Sequence, residues 1–194
     1  MTEEENLLGL SKKLSDSAKK IALFVDKEYQ SFLKNDIEMV KKYDSNELFL
    51  KVLRFETDIT SDKKELYKEA KGCKGIYIFR VKETKPVNPC DFNRTLHGAP
   101  IRISNLKLKK FEKDKCLYLG KCKSLVNRIH SHFGDPITNT GALRLSCKKR
   151  EFMKKNVIVY CFVFRKTFND LYDILAKVIE KELHSRLKPL TGNK

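Results

Sequence analysis

Apolar residues recur at three- and four-residue steps near the start of the chain: Leu7, Leu10, Leu14, Ala18, Ile21, Ala22 and Val25. This spacing lines one face of a helix, which is predicted over residues 4–34. Residues 46–55 fit either a helix or a strand, and 61–70 fit a short helix, before Gly72 and Gly75 break the pattern. Residues 75–81 (GIYIFRV) are rich in β-branched and aromatic side chains and have the length of a strand. The stretch 82–114 is polar, carries Pro86, Pro89, Gly98 and Pro100, and reads as a long insertion with room for a small hairpin at 101–108.

A second short strand is expected at 116–120, followed by a helix capped by Ser124 and running to Phe133, with Leu125, Ile129 and Phe133 on one face. Residues 134–141 carry loop residues, and 143–155 form a basic, helical stretch. Residues 157–164 (VIVYCFVF) are apolar without a break, the pattern of a strand covered on both faces, so this strand is placed at the centre of a sheet. Asn169 can cap a last helix over 170–187, which Pro189 ends. The order predicts an α/β (α+β) fold: a small, three-stranded, mainly antiparallel sheet flanked by helices. Residues 1–70 are expected as a helical N-terminal extension, and 71–194 as the main domain with its insertion at 82–114.

Charge adds a direction to this picture. Lys and Arg number 41 against 25 Asp and Glu, a net of +16. Residues 1–70 hold 13 basic and 15 acidic side chains, whereas 71–194 hold 28 and 10. The excess lies wholly in the second part, which points to a polyanion bound there. No apolar run approaches the roughly 18 residues that cross a bilayer. Residues 1–6 are acidic and lack the apolar core of a signal peptide, so a cytoplasmic protein with no membrane partner is expected. None of the six cysteines falls in a CxxC pair, which argues against a disulfide framework or a zinc site, and Cys161 reads as a small core residue.

Gly75-Ile76-Tyr77 and Tyr118-Leu119-Gly120 resemble the two halves of the signature of the GIY-YIG nuclease superfamily. Downstream, Lys121, Leu125, Arg128, Ile129, His132 and Phe133 are similar to that family's first helix. Ala176, Ile179, Glu180, Leu183 and Pro189 follow the spacing around its glutamate. The resemblance covers about residues 74–194 and none of the first 70. It implies Tyr77, Tyr118, Arg128, His132 and Glu180 as catalytic residues, with Glu180 holding one Mg²⁺ or Mn²⁺, and Gly75 and Gly120 in support. The family often closes on Pro-x-x-Asn; here Pro189-Leu-Thr-Gly-Asn193 is one residue longer, so the supporting role falls to Asn193 or to Thr191. Two further departures are Leu119 in place of isoleucine and a much longer gap between the half-motifs.

These residue types suit phosphodiester hydrolysis, which needs an activated water, stabilised charge on the phosphate and help for the leaving oxygen. A lone carboxylate can hold one hard cation whose shell is completed by water and phosphate. Arg128 offers a planar fork for phosphate oxygens. A free tyrosine, with a pKa of roughly 10, is a poor base until neighbouring cations lower it, so either Tyr77 or Tyr118 could activate the water. Arg128 and His132 share a helix face, expected at the edge of a cleft, where His132 could carry a proton near neutral pH. In the last helix Leu171, Leu175 and Val178 align with Glu182 better than with Glu180, so periodicity alone does not choose between them; the resemblance chooses Glu180.

The leading expectation is therefore a metal-dependent endonuclease acting on double-stranded DNA, with Lys121, Arg128, Lys148, Lys149 and Arg150 contacting the nucleic acid. The insertion suggests a site-specific enzyme of restriction, phage defence or mobile elements. A single site nicks one strand, so cutting both would call for a homodimer or sequential nicks. The alternatives are an inactive nucleic-acid-binding module on the same scaffold, and an adaptor whose N-terminal helix pairs with a partner.

Overall fold

Strand β7 (Val157–Phe164) organises the molecule, because all eight of its residues are buried. The computed structural model describes residues 3–35, 40–43, 48–56, 60–86, 110–133, 143, 145, 155–166 and 172–190. In chain order these form α1 (Glu3–Lys34), β1 (Val40–Lys42), β2 (Phe49–Glu56), α2 (Thr60–Ala70), β3 (Gly75–Val81), β4 (Lys85–Pro86), β5 (Lys110–Phe111), β6 (Cys116–Cys122), α3 (Leu125–Phe133), β7 and α4 (Tyr172–Leu187). The expected helix over 143–155 lies outside the described residues apart from Leu143, Leu145 and Lys155, and the hairpin at 101–108 lies wholly outside them.

The α+β class stands, with one correction. The main sheet has five strands in the order β1-β2-β7-β3-β6, all antiparallel, where three were expected. The two added strands come from the segment expected as a helical extension, within which residues 46–55 fitted either a helix or a strand. β2 runs along the second edge of β7, from Phe49 against Phe164 to Glu56 against Ile158. Its pattern was ambiguous for a physical reason. A register shift between Phe49 and Lys51 breaks the alternation of buried and exposed side chains. Without β2, the apolar β7 would present an open edge.

Side chains alternate along β7 to build a core on each face of the sheet. On one face α1 and α4 cover Ile76, Ile78, Ile158, Tyr160 and Phe162. On the other, α2 and α3 cover Tyr77, Phe79, Val157, Val159 and Cys161. Within α1 the buried residues are Ala18, Ala22, Val25, Tyr29 and Phe32, continuing the predicted stripe toward the C-terminus.

The neck of the insertion is closed. Lys85 pairs with Phe111 and Pro86 with Lys110. Below them the buried Arg80 lies 3.0 Å from the Asp114 carboxylate, and donates to the Phe32 carbonyl at 3.1 Å and the Tyr160 hydroxyl at 2.8 Å. One guanidinium thus ties together the last turn of α1, the sheet and the return of the insertion.

Strand β6 is the edge of the sheet nearest the half-motifs. Beyond α4, Lys188 takes a left-handed conformation (φ 44) before Pro189, and the Leu190 amide donates to the Cys116 carbonyl at 2.9 Å. Leu190 is thereby laid against β6.

Candidate active site

The half-motifs are neighbours because β3 and β6 pair antiparallel, with Tyr77 opposite Gly120 and Phe79 opposite Tyr118. The glycines are sterically required. A Cβ on Gly120 would lie 2.3 Å from the Tyr77 hydroxyl oxygen, and one on Gly75 would lie 2.4 Å from the Phe162 carbonyl. The rings of Tyr77 and Tyr118 stack at 6.0 Å between centroids, 11° from parallel.

Helix α3 then brings two donors to one oxygen. The Arg128 Nε–H donates to the Tyr77 hydroxyl at 3.0 Å, and its NH2 group donates to the Tyr118 hydroxyl at 3.4 Å. The His132 Nε2 lies 3.1 Å from the same Tyr77 oxygen. Its tautomer follows from the opposite ring nitrogen: the Leu143 amide donates to Nδ1 at 3.0 Å, so Nδ1 is an acceptor and the neutral ring carries its proton on Nε2. His132 therefore donates to Tyr77. The phenol oxygen accepts from both partners, the arrangement that stabilises negative charge on it.

Burial opposes that charge. It pushes the Tyr77 hydroxyl well above the ordinary 10; Tyr118 adds to the rise, and Arg128 offsets part of it. The same burial holds His132 well below its ordinary 6.5, with Arg128 lowering it further. His132 was expected at a cleft edge, as a proton carrier near neutral pH, but it is fully buried. Leu143 and Leu145, which the α3 periodicity does not show, donate their amides to its Nδ1 and its carbonyl.

A pH dependence of stability follows. The unfolded chain binds a proton at His132 near pH 6.5, while the folded chain resists it. The stability His132 contributes is thus present above pH 6.5 and lost as pH falls toward its lower folded value. His184 is depressed in the same direction. Urea unfolding should show stability falling from about pH 6.5 downward, before carboxylates titrate, and His132→Gln should flatten that slope. An unchanged slope would mean that His132 is not held neutral by the fold.

Glu180 approaches from the other face of the sheet, around the edge of β6. It is half-buried and accepts a hydrogen bond from the Lys121 amide; burial raises its carboxyl, while Lys121 and Arg128 pull it down. Of the two carboxylates that the helix offered, Glu180 is the one that meets the half-motif, at the Lys121 amide. Lys121 lies beside it, half-buried. No group of three or more His, Cys, Asp or Glu side chains able to hold a metal occurs among the described residues. Lys148, Lys149, Arg150, Thr191 and Asn193 lie outside them.

Sequence reasoning missed three contributors. The Tyr172 hydroxyl donates toward the carbonyls of Gly75, at 3.2 Å, and Cys122, at 2.6 Å, fixing the ends of β3 and β6 to α4. The Leu143 amide sets the His132 tautomer. His184, one turn beyond Glu180, hydrogen-bonds the Leu119 backbone. Only His184 had a legible signal, its four-residue spacing from Glu180. Cys122 also borders the site, but burial pushes its thiol up to about 12, so it is no thiolate nucleophile at neutral pH.

Comparison with protein-family models, with curated proteins and with solved structures gives no significant match. No helix among the described residues is long and apolar enough to cross a membrane.

Proposed function

We propose that the protein is a metal-dependent endonuclease of the GIY-YIG type that hydrolyses phosphodiester bonds of double-stranded DNA. The observation that carries this reading is the Tyr77 oxygen receiving both Arg128 Nε and His132 Nε2. Two donors on one phenol oxygen, one of them cationic, suit a hydroxyl that carries negative charge during the reaction. Arg128 remains charged and reaches both tyrosines, so its guanidinium can hold a phosphate beside them. Tyr118, half-buried, is nearer solvent than Tyr77 and orients the attacking water. Tyr77 takes its proton once ionised, with Arg128 and His132 holding the charge.

Glu180 fits a single hard cation, because it is a half-buried carboxylate whose bond to the Lys121 amide leaves lone pairs over. Bound there, Mg²⁺ or Mn²⁺ would supply charge neutralisation on the phosphate and the leaving oxygen. Lys121 and the basic second part of the chain serve the DNA backbone. Cleavage of supercoiled plasmid in Mg²⁺ and in Mn²⁺ tests the reading. Nicking or linearisation by the wild type that disappears in Glu180→Ala is expected; cleavage that persists in the variant would displace Glu180 from the site.

One observation favours a second reading, a binding module without turnover: the Tyr77 hydroxyl is sealed, with 1% of the residue exposed. On that reading the protein would bind DNA with a steep salt dependence and cut it in neither metal.

The insertion is proposed as the reader of DNA sequence, which makes the enzyme site-specific and places it in restriction, phage defence or mobile elements, within the cytoplasm. Because the neck is closed by the Lys85–Phe111 and Pro86–Lys110 pairs, residues 87–109 can be replaced by an Asn-Gly turn without opening the sheet. The shortened protein should keep its metal binding and cleave without sequence preference. A cleavage pattern identical to that of the full chain would remove the insertion from recognition.

A further inference from the structure

An edge strand must satisfy or hide its outward N–H and C=O groups. On β6, beside the Leu190–Cys116 bond already described, two such groups are met by α4 side chains. The Lys121 amide donates to Glu180, and the Leu119 carbonyl accepts from His184. Glu180 and His184 are four residues apart on α4, so they leave the helix on the same face, one turn apart. Their backbone partners are two residues apart on the strand, a rise of about 7 Å that matches the helical step of about 6 Å.

We propose that His184 is a second protein ligand to the cation that Glu180 holds, making the centre a carboxylate–imidazole pair. The inference rests on the metal-dependent reading above and adds a ligand to it. The bond to the Leu119 carbonyl uses one ring N–H of His184, so in the neutral ring the other nitrogen carries a lone pair. A metal-ligating histidine characteristically gives its second N–H to such a carbonyl, which fixes its ring and raises its basicity. His132 fails the same test, since the Leu143 amide occupies its Nδ1 and the Tyr77 oxygen its Nε2.

An imidazole donor changes which ion the centre prefers. Mg²⁺ favours all-oxygen shells, whereas Mn²⁺ and later first-row ions accept nitrogen and bind more tightly in this donor set. Mn²⁺ should therefore bind the full-length protein more tightly than Mg²⁺.

The test is Mn²⁺ titration of the full-length wild type, Glu180→Gln and His184→Gln, followed by electron paramagnetic resonance with pulsed detection of nitrogen coupling. Glutamine at 184 keeps a donor for the Leu119 carbonyl and removes the imidazole. The wild type should show strong ¹⁴N coupling to bound Mn²⁺. His184→Gln should lose that coupling and weaken Mn²⁺ binding by about ten- to a hundredfold, with Mg²⁺ affinity changed far less. Wild-type Mn²⁺ bound without nitrogen coupling, and lost in Glu180→Gln alone, would overturn the second ligand while leaving the nuclease reading intact. No Mn²⁺ binding by the wild type would remove the cation and His184's role together. Absence of coupling on the wild type overturns the second ligand whether or not a variant folds.

Discussion

Tyr77→Phe should reduce plasmid cleavage by about a hundred- to ten-thousandfold, the scale of losing a positioned proton-transfer group. The substitution removes one oxygen and leaves the ring, so packing against Phe79, Tyr118 and His132 is retained. What it deletes is the acceptor shared by Arg128 Nε and His132 Nε2. The buried His132 Nε2 and the half-buried Arg128 Nε each lose this acceptor, so stability should also fall, by about 1–3 kcal/mol. Thermal unfolding measured beside activity separates the two effects. A variant that is folded at the assay temperature yet inactive assigns the loss to chemistry. A folded variant as active as the wild type would reduce Tyr77 to a packing residue and shift the role to Tyr118.

The same group fixes a pH profile. Burial keeps Tyr77 protonated at neutral pH, and the base form becomes about tenfold more abundant for each unit of rise below its pKa. Cleavage should therefore climb with pH across the neutral and alkaline range. Arg128 offsets part of the burial, so Arg128→Gln, which retains some hydrogen bonding but no charge, should move the climb to higher pH.

The sequence carried the local elements well and the assembly less well. Strand β7 declared itself through an unbroken apolar run that only a doubly covered strand needs. β2 did not, because its register shift hides the alternation and its partner lies more than a hundred residues away. The candidate site was legible through spacing: Tyr77 lies 51 residues from Arg128 and 55 from His132, and only the paired half-motifs indicated that they meet. Glu180 was indistinguishable from Glu182 by periodicity because its contact is with a strand-edge amide, a group that no side-chain pattern records. His132 was placed at a cleft edge for a similar reason, its second cover coming from Leu143 beyond the helix.

Gly120→Ala should damage the site severely. The added carbon would lie 2.3 Å from the Tyr77 hydroxyl oxygen and 2.6 Å from the ring carbon that bears it. Such a contact is cheap when a flexible side-chain end can swing away, but this one is pinned. Arg128 and His132 hold the oxygen, Tyr118 stacks on the ring, and Tyr77 is buried. Relief must come from the β3–β6 pairing itself, where Tyr77 and Gly120 face each other. Overpacking of this kind costs about 1–3 kcal/mol. A displacement of about 1 Å at the reacting group can cost a hundredfold in rate. Activity should therefore collapse further than stability does, measured by plasmid cleavage and urea unfolding on the same preparation. Tyr77→Phe in the Gly120→Ala background supplies the decisive comparison. Removing the nearer clashing oxygen should recover part of the lost stability and none of the activity, the ring carbon at 2.6 Å keeping the rest of the clash. If the second substitution restores no stability, the glycine answers to some contact other than the Tyr77 hydroxyl.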